Sequence, residues 1–422
     1  MNSTDRELLD FIAAHPTPWH VVEGQAALLE AAGYVRVEEG DDTPLRPGGR
    51  YYITRGGSAL MALRLPEALP EGFHIVASHS DNPVPVVKED AEQCIEGRYT
   101  RLAVEIYGGA LLAPWFDRPL GAAGRLFVRS PEGPRQVTVD MERDLLMIPS
   151  LAIHMDREAN KGRELNPRVD MCPLYGLGGG VPPLRTLLAE KAGVKPEDVL
   201  GSDILVYSRQ PGIVWGADDE FLSSPRLDDV QCAFASLQAF LSAAPGKSIA
   251  VHALFDNEET GSSTRQGAAS TFLEDTLRRA AEAYGLGDAG YRRLVARSFL
   301  LSADNAHGLH PNCPDKCDAV HRPVLGGGVV LKFAANRKYT TDGYSAAVTR
   351  LLAEKAGVTL QTFTNRSDMP GGSTLGNISA CRVPVPAADI GVAQLAMHSP
   401  FETCGAGDTE QMIRLMRAQY EA

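Results

Sequence analysis

Five segments of this 422-residue chain carry a histidine or an acid where an apolar run ends or a helix begins. The run FHIVAS (73–78) leads into His79-Ser80-Asp81, SIAVHALF (248–255) into Asp256-Asn257-Glu258-Glu259, and SFLLSA (298–303) into Asp304-Asn305. Pro225-Arg226-Leu227-Asp228-Asp229 precedes a helical stretch, and Met397-His398-Ser399-Pro400 follows another apolar run. Two histidines and three carboxylates form a ligand set for a pair of divalent ions that share one carboxylate. Imidazole nitrogen and carboxylate oxygen suit zinc, cobalt or manganese better than thiolate-seeking ions. In the Glu258-Glu259 doublet one carboxylate can bind metal while the other takes a proton from water, as a two-metal hydrolase requires. A lone acid or histidine at a strand end is more often a turn or cap residue, and a Glu-Glu pair more often solvated surface. Recurrence at five places tips the reading toward a site.

Such residues need a scaffold that gathers distant segments. The apolar runs 73–78, 248–255, 298–303 and 383–390 read as buried strands, and 230–241, 268–284 and 344–356 as helices between them. This alternation predicts an α/β layered sheet. In open sheets of that kind ligands bind in the crevice at the carboxyl ends of strands. The first 35 residues read as two helices, broken at Pro16 and Pro18 and closed by Gly33. From about 93 to 213 the pattern changes to alternating segments such as RLFVRS and RQVTVDM, many glycines, and the run GLGGG at 176–180. We expect a mainly β domain, residues 93–213, inserted into a mixed-sheet catalytic core made of 1–92 and 214–422.

Composition narrows the class. Apolar residues at 44% and charged residues at 22% are the balance of a globular protein with an ample core. A net charge of −12 argues against nucleic acid as a partner. No apolar run approaches the roughly 18 residues of a membrane span, and the N-terminus lacks the pattern of a signal peptide. Seven cysteines, odd in number and without a CxxC pair, suit reduced thiols in a cytoplasm. The spacing of His310, Cys313, Cys317 and His321 is only a loose match to a zinc knot, and no structural zinc is expected there.

Eight stretches resemble the aspartyl aminopeptidase family, a branch of the cocatalytic two-zinc peptidases. They are HPTPWH (15–20), ASHSDNP (77–83), SSPRLDDVQ (223–231), FDNEETGS (255–262), SADNAHGLHPN (302–312), LKFAANRKYTTDG (331–343), SDMPGGSTLGNISA (367–380) and QLAMHSP (394–400), all in family order. The resemblance implies a phosphorylase/hydrolase-like metallopeptidase core and two divalent ions per chain, zinc first, with cobalt or manganese as substitutes. It implies that His79, Asp228 and Glu259 hold one ion and Asp228, Asp304 and His398 the other, with Asp228 bridging. Glu258 becomes the general base, and Asp81 orients the His79 imidazole as metal-bound histidines require. Lys332, on an apolar run, is either a snorkelling strand lysine or a cation for a substrate's acidic side chain. His310 is a candidate lining residue, and the segment 369–374 a candidate source of backbone N–H donors. His154, in the inserted domain, is similar to a family histidine that reaches a neighbouring subunit's site. The resemblance thus implies an aminopeptidase acting on peptides with a free N-terminus, preferring Asp or Glu there, with the inserted domain building dimers that assemble into a dodecamer. Two rivals stand beside it: an amidase or dipeptidase with the same metal site, and a catalytically silent assembly protein.

Overall fold

The computed structural model describes residues 2–369 and 371–422. Its contacts divide the chain into two units, Met1–Asp81 with Gly212–Met397 and Glu402–Ala422, and Asn82–Pro211 with His398–Phe401. The first boundary falls after Asp81 rather than near residue 92. The physical reason is pairing, because the strand Val84–Ile95 takes both its neighbours, Tyr99–Tyr107 and Val199–Ser208, from the second unit.

The first unit is built on a 13-stranded mixed sheet. At its centre Ile249–Phe255, Phe73–His79, Phe299–Ala303 and Ala387–Leu395 lie side by side and parallel. Ala59–Arg64 flanks the first of these antiparallel, and Val329–Phe333 the last. The parallel strands read as largely apolar runs, without alternation, because both faces are covered. Ile75 and Ala77 point into one cluster with Phe272, Leu277 and Tyr291, while Val76 points into another with Phe234, Leu237 and Leu415.

Register decides what reaches the sheet's edge. Phe255 lies opposite His79, and Ser302 opposite Ala77. Asp304, two residues past Ser302, is therefore level with His79, and residues 256–259 begin where His79 ends. The helix Leu227–Ser242 packs against these strands and is apolar around almost its whole circumference, the mark of a buried helix. Asp228 and Asp229 lie at its start with non-helical dihedrals, joined by a cis peptide bond.

Two expected elements are displaced. The 383–390 strand is observed as Ala387–Leu395, because Pro384 and Pro386 cannot donate to a ladder. The helix expected over 268–284 is observed as Phe272–Glu282, preceded by turns around Gly267.

In the second unit, six antiparallel strands run in the order Gly133–Asp140, Leu120–Ser130, Val199–Ser208, Val84–Ile95, Tyr99–Tyr107, Leu174–Leu177. Burial alternates along Tyr99–Tyr107, as in a sheet covered on one face. Its core gathers Leu102, Leu126 and Val206 around Leu184 and Leu188 of the short helix Leu184–Lys191. Among the described residues, no helix is long and apolar enough to cross a membrane.

Candidate metal centre

His79 closes the central strand and is almost wholly buried. Its Nδ1 is 3.1 Å from the Asp81 carbonyl oxygen and 3.3 Å from Asp81 Oδ1. Both neighbours only accept, so Nδ1 carries a proton and Nε2 is the nitrogen turned toward the other carboxylates. Nε2 faces Asp228 Oδ1 at 3.7 Å and Asp229 Oδ2 at 3.9 Å. Two donors of one tetrahedral zinc, each at roughly 2.0–2.1 Å from the ion, sit about 3.4 Å apart. The imidazole and carboxylates are spaced as ligands are.

His79, Asp228, Asp229 and Asp304, all buried, each offer a ligand atom within 4.8 Å of the others. His79, Glu258 and Glu259 form a second such group around the same imidazole. Buried carboxylates at this density repel one another and lose hydration, so their charged forms are costly without a cation. Burial, with Asp304, Asp81 and Asp228 adding to it and His79 opposing, pushes Glu258 up to about 8. Burial also raises Asp304 to about 6 against the pull of Lys332. Asp229 and Glu259 lie well above the ordinary carboxylate range for the same leading reason, burial. Burial opposes protonation of His79, yet Asp229, Asp81 and Glu258 outweigh it and hold the ring well above its usual value. This is a donor set short of positive charge, and divalent cations fit it.

The backbone beneath these side chains is held by further carboxylates. Asp81 Oδ1 and Oδ2 accept the N–H groups of Glu258 (3.1 Å) and Glu259 (3.2 Å). Those amides open the short 3₁₀ turn Glu258–Thr260, entered through Asn257 in the left-handed region, where no intrahelical acceptor exists for them. Asp81 therefore orients the histidine and also sets the Glu-Glu doublet. Asp229 Oδ2 accepts the N–H of His79 at 3.1 Å, and Glu402 Oε2 that of Asp228 at 2.9 Å. Asn305, beside Asp304, donates to the Leu227 carbonyl (3.0 Å), Gln231 (3.0 Å) and Gln394 (3.2 Å). It joins the helix start to two strand ends.

The remaining expected site residues are placed as follows. Lys332 is fully buried on Val329–Phe333, with Nζ donating to the carbonyls of Asp304 (2.8 Å) and Asn305 (3.2 Å) and lying 3.7 Å from Asp304 Oδ1. Burial works against its charge, but Asp304, Tyr339 and Asp389 keep it protonated well above the usual lysine range. His310 is exposed, and its Nδ1 accepts the N–H of Asn312 at 3.2 Å. His154 is exposed in the second unit. His398 follows the Ala387–Leu395 strand in a left-handed conformation, and its Nδ1 donates to the Gly109 carbonyl at 3.0 Å, leaving Nε2 as an acceptor. No three of His310, Cys313, Cys317 and His321 lie within 4.8 Å of one another, and His321 pairs instead with Asp318 at 2.9 Å. Within 369–374, Pro370 lies outside the described residues, and Lys338 donates to the carbonyl of Gly371 at 3.2 Å.

Three members of the cluster were not singled out from sequence. Asp229 was visible as the second half of an Asp-Asp doublet, and Asn305 as the neighbour of Asp304. Glu402 had no signal beyond its place four residues after His398.

The family model for aminopeptidase I zinc metalloproteases (M18) matches residues 11–420. A probable M18 family aminopeptidase 2 of Pseudomonas aeruginosa is 41% identical over 421 residues, covering 98% of this chain and 97% of the relative. Among solved structures, a chain of the Ape4 and Nbr1 complex superposes with a TM-score of 0.95 at 32% identity, over 99% of this chain and 85% of that one. The S. cerevisiae mApe1 dodecamer gives a TM-score of 0.87 at 28% identity, over 99% and 96%.

Proposed function

The chain belongs to the M18 family of zinc aminopeptidases, and from that premise we propose that it removes N-terminal Asp or Glu from peptides, using two zinc ions and Glu258 as general base. The observation that carries this reading is the buried convergence of His79 with Asp228, Asp229 and Asp304, and of the same imidazole with Glu258 and Glu259.

In this reading His79, Asp228 and Asp304 hold one ion, and Asp228, Glu259 and His398 the other, which exchanges Glu259 and Asp304 relative to the assignment carried over from the resemblance. Support for the two histidines comes from their Nδ1 protons, each spent on an oxygen acceptor, so that Nε2 is the nitrogen an ion would take. Bound there, the zinc pair supplies Lewis acidity that polarises a peptide carbonyl and makes water a better acid. Glu258 takes the proton from the attacking water and returns it to the departing amine. Its backbone N–H is fixed by Asp81, so the carboxylate acts from a set position.

Acidic preference is supported by Lys332, the buried ammonium beside Asp304. Two of its three N–H donors are used on carbonyls and Asp304 Oδ1 lies 3.7 Å from Nζ, so it would act on a substrate's carboxylate as a nearby fixed positive charge. The second unit supplies association. It holds eleven of the twenty-one large apolar side chains exposed among the described residues, Leu151, Ile153 and Met155 beside His154 among them, although it makes up fewer than a third of the chain. Exposed apolar surface at that density is interface surface, and we assign it to pairing with a second copy, with His154 reaching that copy's site.

The test is a panel of aspartyl, glutamyl, leucyl and lysyl anilides beside an N-acetylated amino acid, run with zinc-depleted and zinc-restored protein. We expect restored turnover on aspartyl and glutamyl substrates and about two zinc ions per chain. Preference for the acetylated substrate would replace this reading with that of an amidase on the same metal site. Absence of both turnover and zinc would leave a silent assembly protein.

A further inference from the structure

Among the proposed ligands described in the first unit, three donate their own backbone N–H to a carboxylate from elsewhere in the chain. His79 gives its N–H to Asp229, and Glu259 gives its own to Asp81. Asp228 gives its N–H to Glu402, at 2.9 Å. Asp229 and Asp81 stand beside ligands in sequence. Glu402 does not: it comes from the strand Glu402–Gly405, which pairs antiparallel with both Phe221–Ser224 and Ala387–Leu395.

We infer that Glu402 is a positioning residue for zinc binding, acting by fixing the backbone of the bridging ligand Asp228. This rests on the two-zinc reading above and assigns a residue that reading does not use.

The local geometry shows why such a residue is needed. Asp228 has φ −84° and ψ 107°, and Arg226 before it is left-handed, so the chain enters the helix through an irregular bend. The first N–H groups of a helix have no acceptor within it, and the Asp228 side chain can hold a fixed direction only if this bend is held. Glu402 is 2% exposed and lies opposite Ser224 in the pairing of its strand with Phe221–Ser224, the strand that feeds the bend. Its carboxylate reaches across that pairing to the one amide whose position sets the aspartate. A charge-assisted bond of this kind is short and directional, and a negative charge at a helix start is favoured by the helix dipole.

Two substitutions separate the acceptor from its charge. Glu402→Gln keeps the length of the side chain and an oxygen acceptor but loses the charge. Glu402→Asp keeps the charge but withdraws the oxygen by one methylene. Zinc dissociation constants are measured by competition with a chromophoric chelator, together with kcat, KM and Tm. The inference expects Glu402→Asp to bind zinc about 10–100-fold more weakly, the range for groups that orient metal ligands. Its kcat falls at limiting zinc, recovers in excess zinc, and KM changes little. Glu402→Gln stays within a few-fold of the parent in zinc affinity. Wild-type affinity in Glu402→Asp, with only Tm lowered, overturns the inference and makes Glu402 a cap of the fold alone. Loss of zinc affinity in Glu402→Gln that equals or exceeds the loss in Glu402→Asp overturns it as well, because reach is then not what matters. The parent protein and Asp228→Asn are measured in parallel. A parent without zinc would defeat the two-zinc reading itself, whereas a parent with two zinc ions and an insensitive Glu402 would defeat only this inference.

Discussion

The two units of this chain treat burial in opposite ways. The first takes charge inside: His79, Asp81, Asp228, Asp229, Asp304, Lys332, Asp389 and Glu402 are all buried. The second leaves apolar side chains outside, with Met155 75% and Leu177 76% exposed. Each is unfavourable by itself, since buried charge costs solvation and exposed apolar surface forgoes the hydrophobic gain. A fold keeps such residues where something outside the chain completes them. In the function proposed above, cations complete the first unit and a second copy of the chain the second. The comparison then assigns chemistry to one and association to the other.

The sharpest test on the first side is Glu258→Gln. Turnover should fall by about 10²–10⁴, the range for a lost general base, with zinc content unchanged, as metal analysis and kcat together would show. Unaltered turnover would remove Glu258 from its role and leave the buried acids without a chemical purpose.

A smaller effect is expected at Asp81, which touches both the histidine and the doublet. Asp81→Ala should weaken zinc binding about 10–100-fold, read by chelator competition. Parent-like affinity would show that the buried carboxylates hold the fold and not the ions.

His252 tests whether burial of an ionisable group need mean function. It is fully buried and neutral, bound to Ser236 (2.8 Å) and Gln25 (2.8 Å), and burial lowers its pKa to about 3 from 6.5. The unfolded chain gains this proton first as pH falls. The stability it contributes is thus complete above about pH 6.5 and declines toward pH 3, at about 1.4 kcal/mol per pH unit. His252→Gln should flatten that part of the Tm-against-pH curve while leaving aminopeptidase activity measurable. An unchanged slope would place the acid sensitivity elsewhere.

The smallest effect belongs to the second unit. Leu177→Ser, at a side chain 76% exposed, should shift the stability of the unassociated chain by less than about 0.5 kcal/mol while weakening self-association in sedimentation. A large loss of stability without a change in association would mean that this surface is part of the fold.

Much of the site was legible because parallel strands announce themselves. FHIVAS, SIAVHALF and SFLLSA are mostly apolar on both faces, since both faces of their sheet are covered, and each run ends next to the acid or histidine that matters. The early strands Arg50–Arg55 and Ala59–Arg64 gave no comparable signal, and neither did the pairing that assigns Val84–Ile95 to the second unit. Antiparallel neighbours are chosen by register and turn geometry more than by composition. Lys332 shows the limit from another side. Its place on an apolar run was plain, but its partners, the carbonyls of Asp304 and Asn305, come from a strand end 28 and 27 residues earlier.

From residue types and order alone come the class of chemistry, the strands that deliver it, and the identity of the acids and histidines, because hydrophobic periodicity and donor chemistry are local properties. Tertiary structure alone decided which atoms meet. Register sets Asp304 level with His79, a bend at the helix start brings Asp228 to 3.7 Å from His79, and Glu402 crosses a strand pair to hold that bend. Distances between side chains follow from how strands and helices pack, and packing is a property of the whole chain.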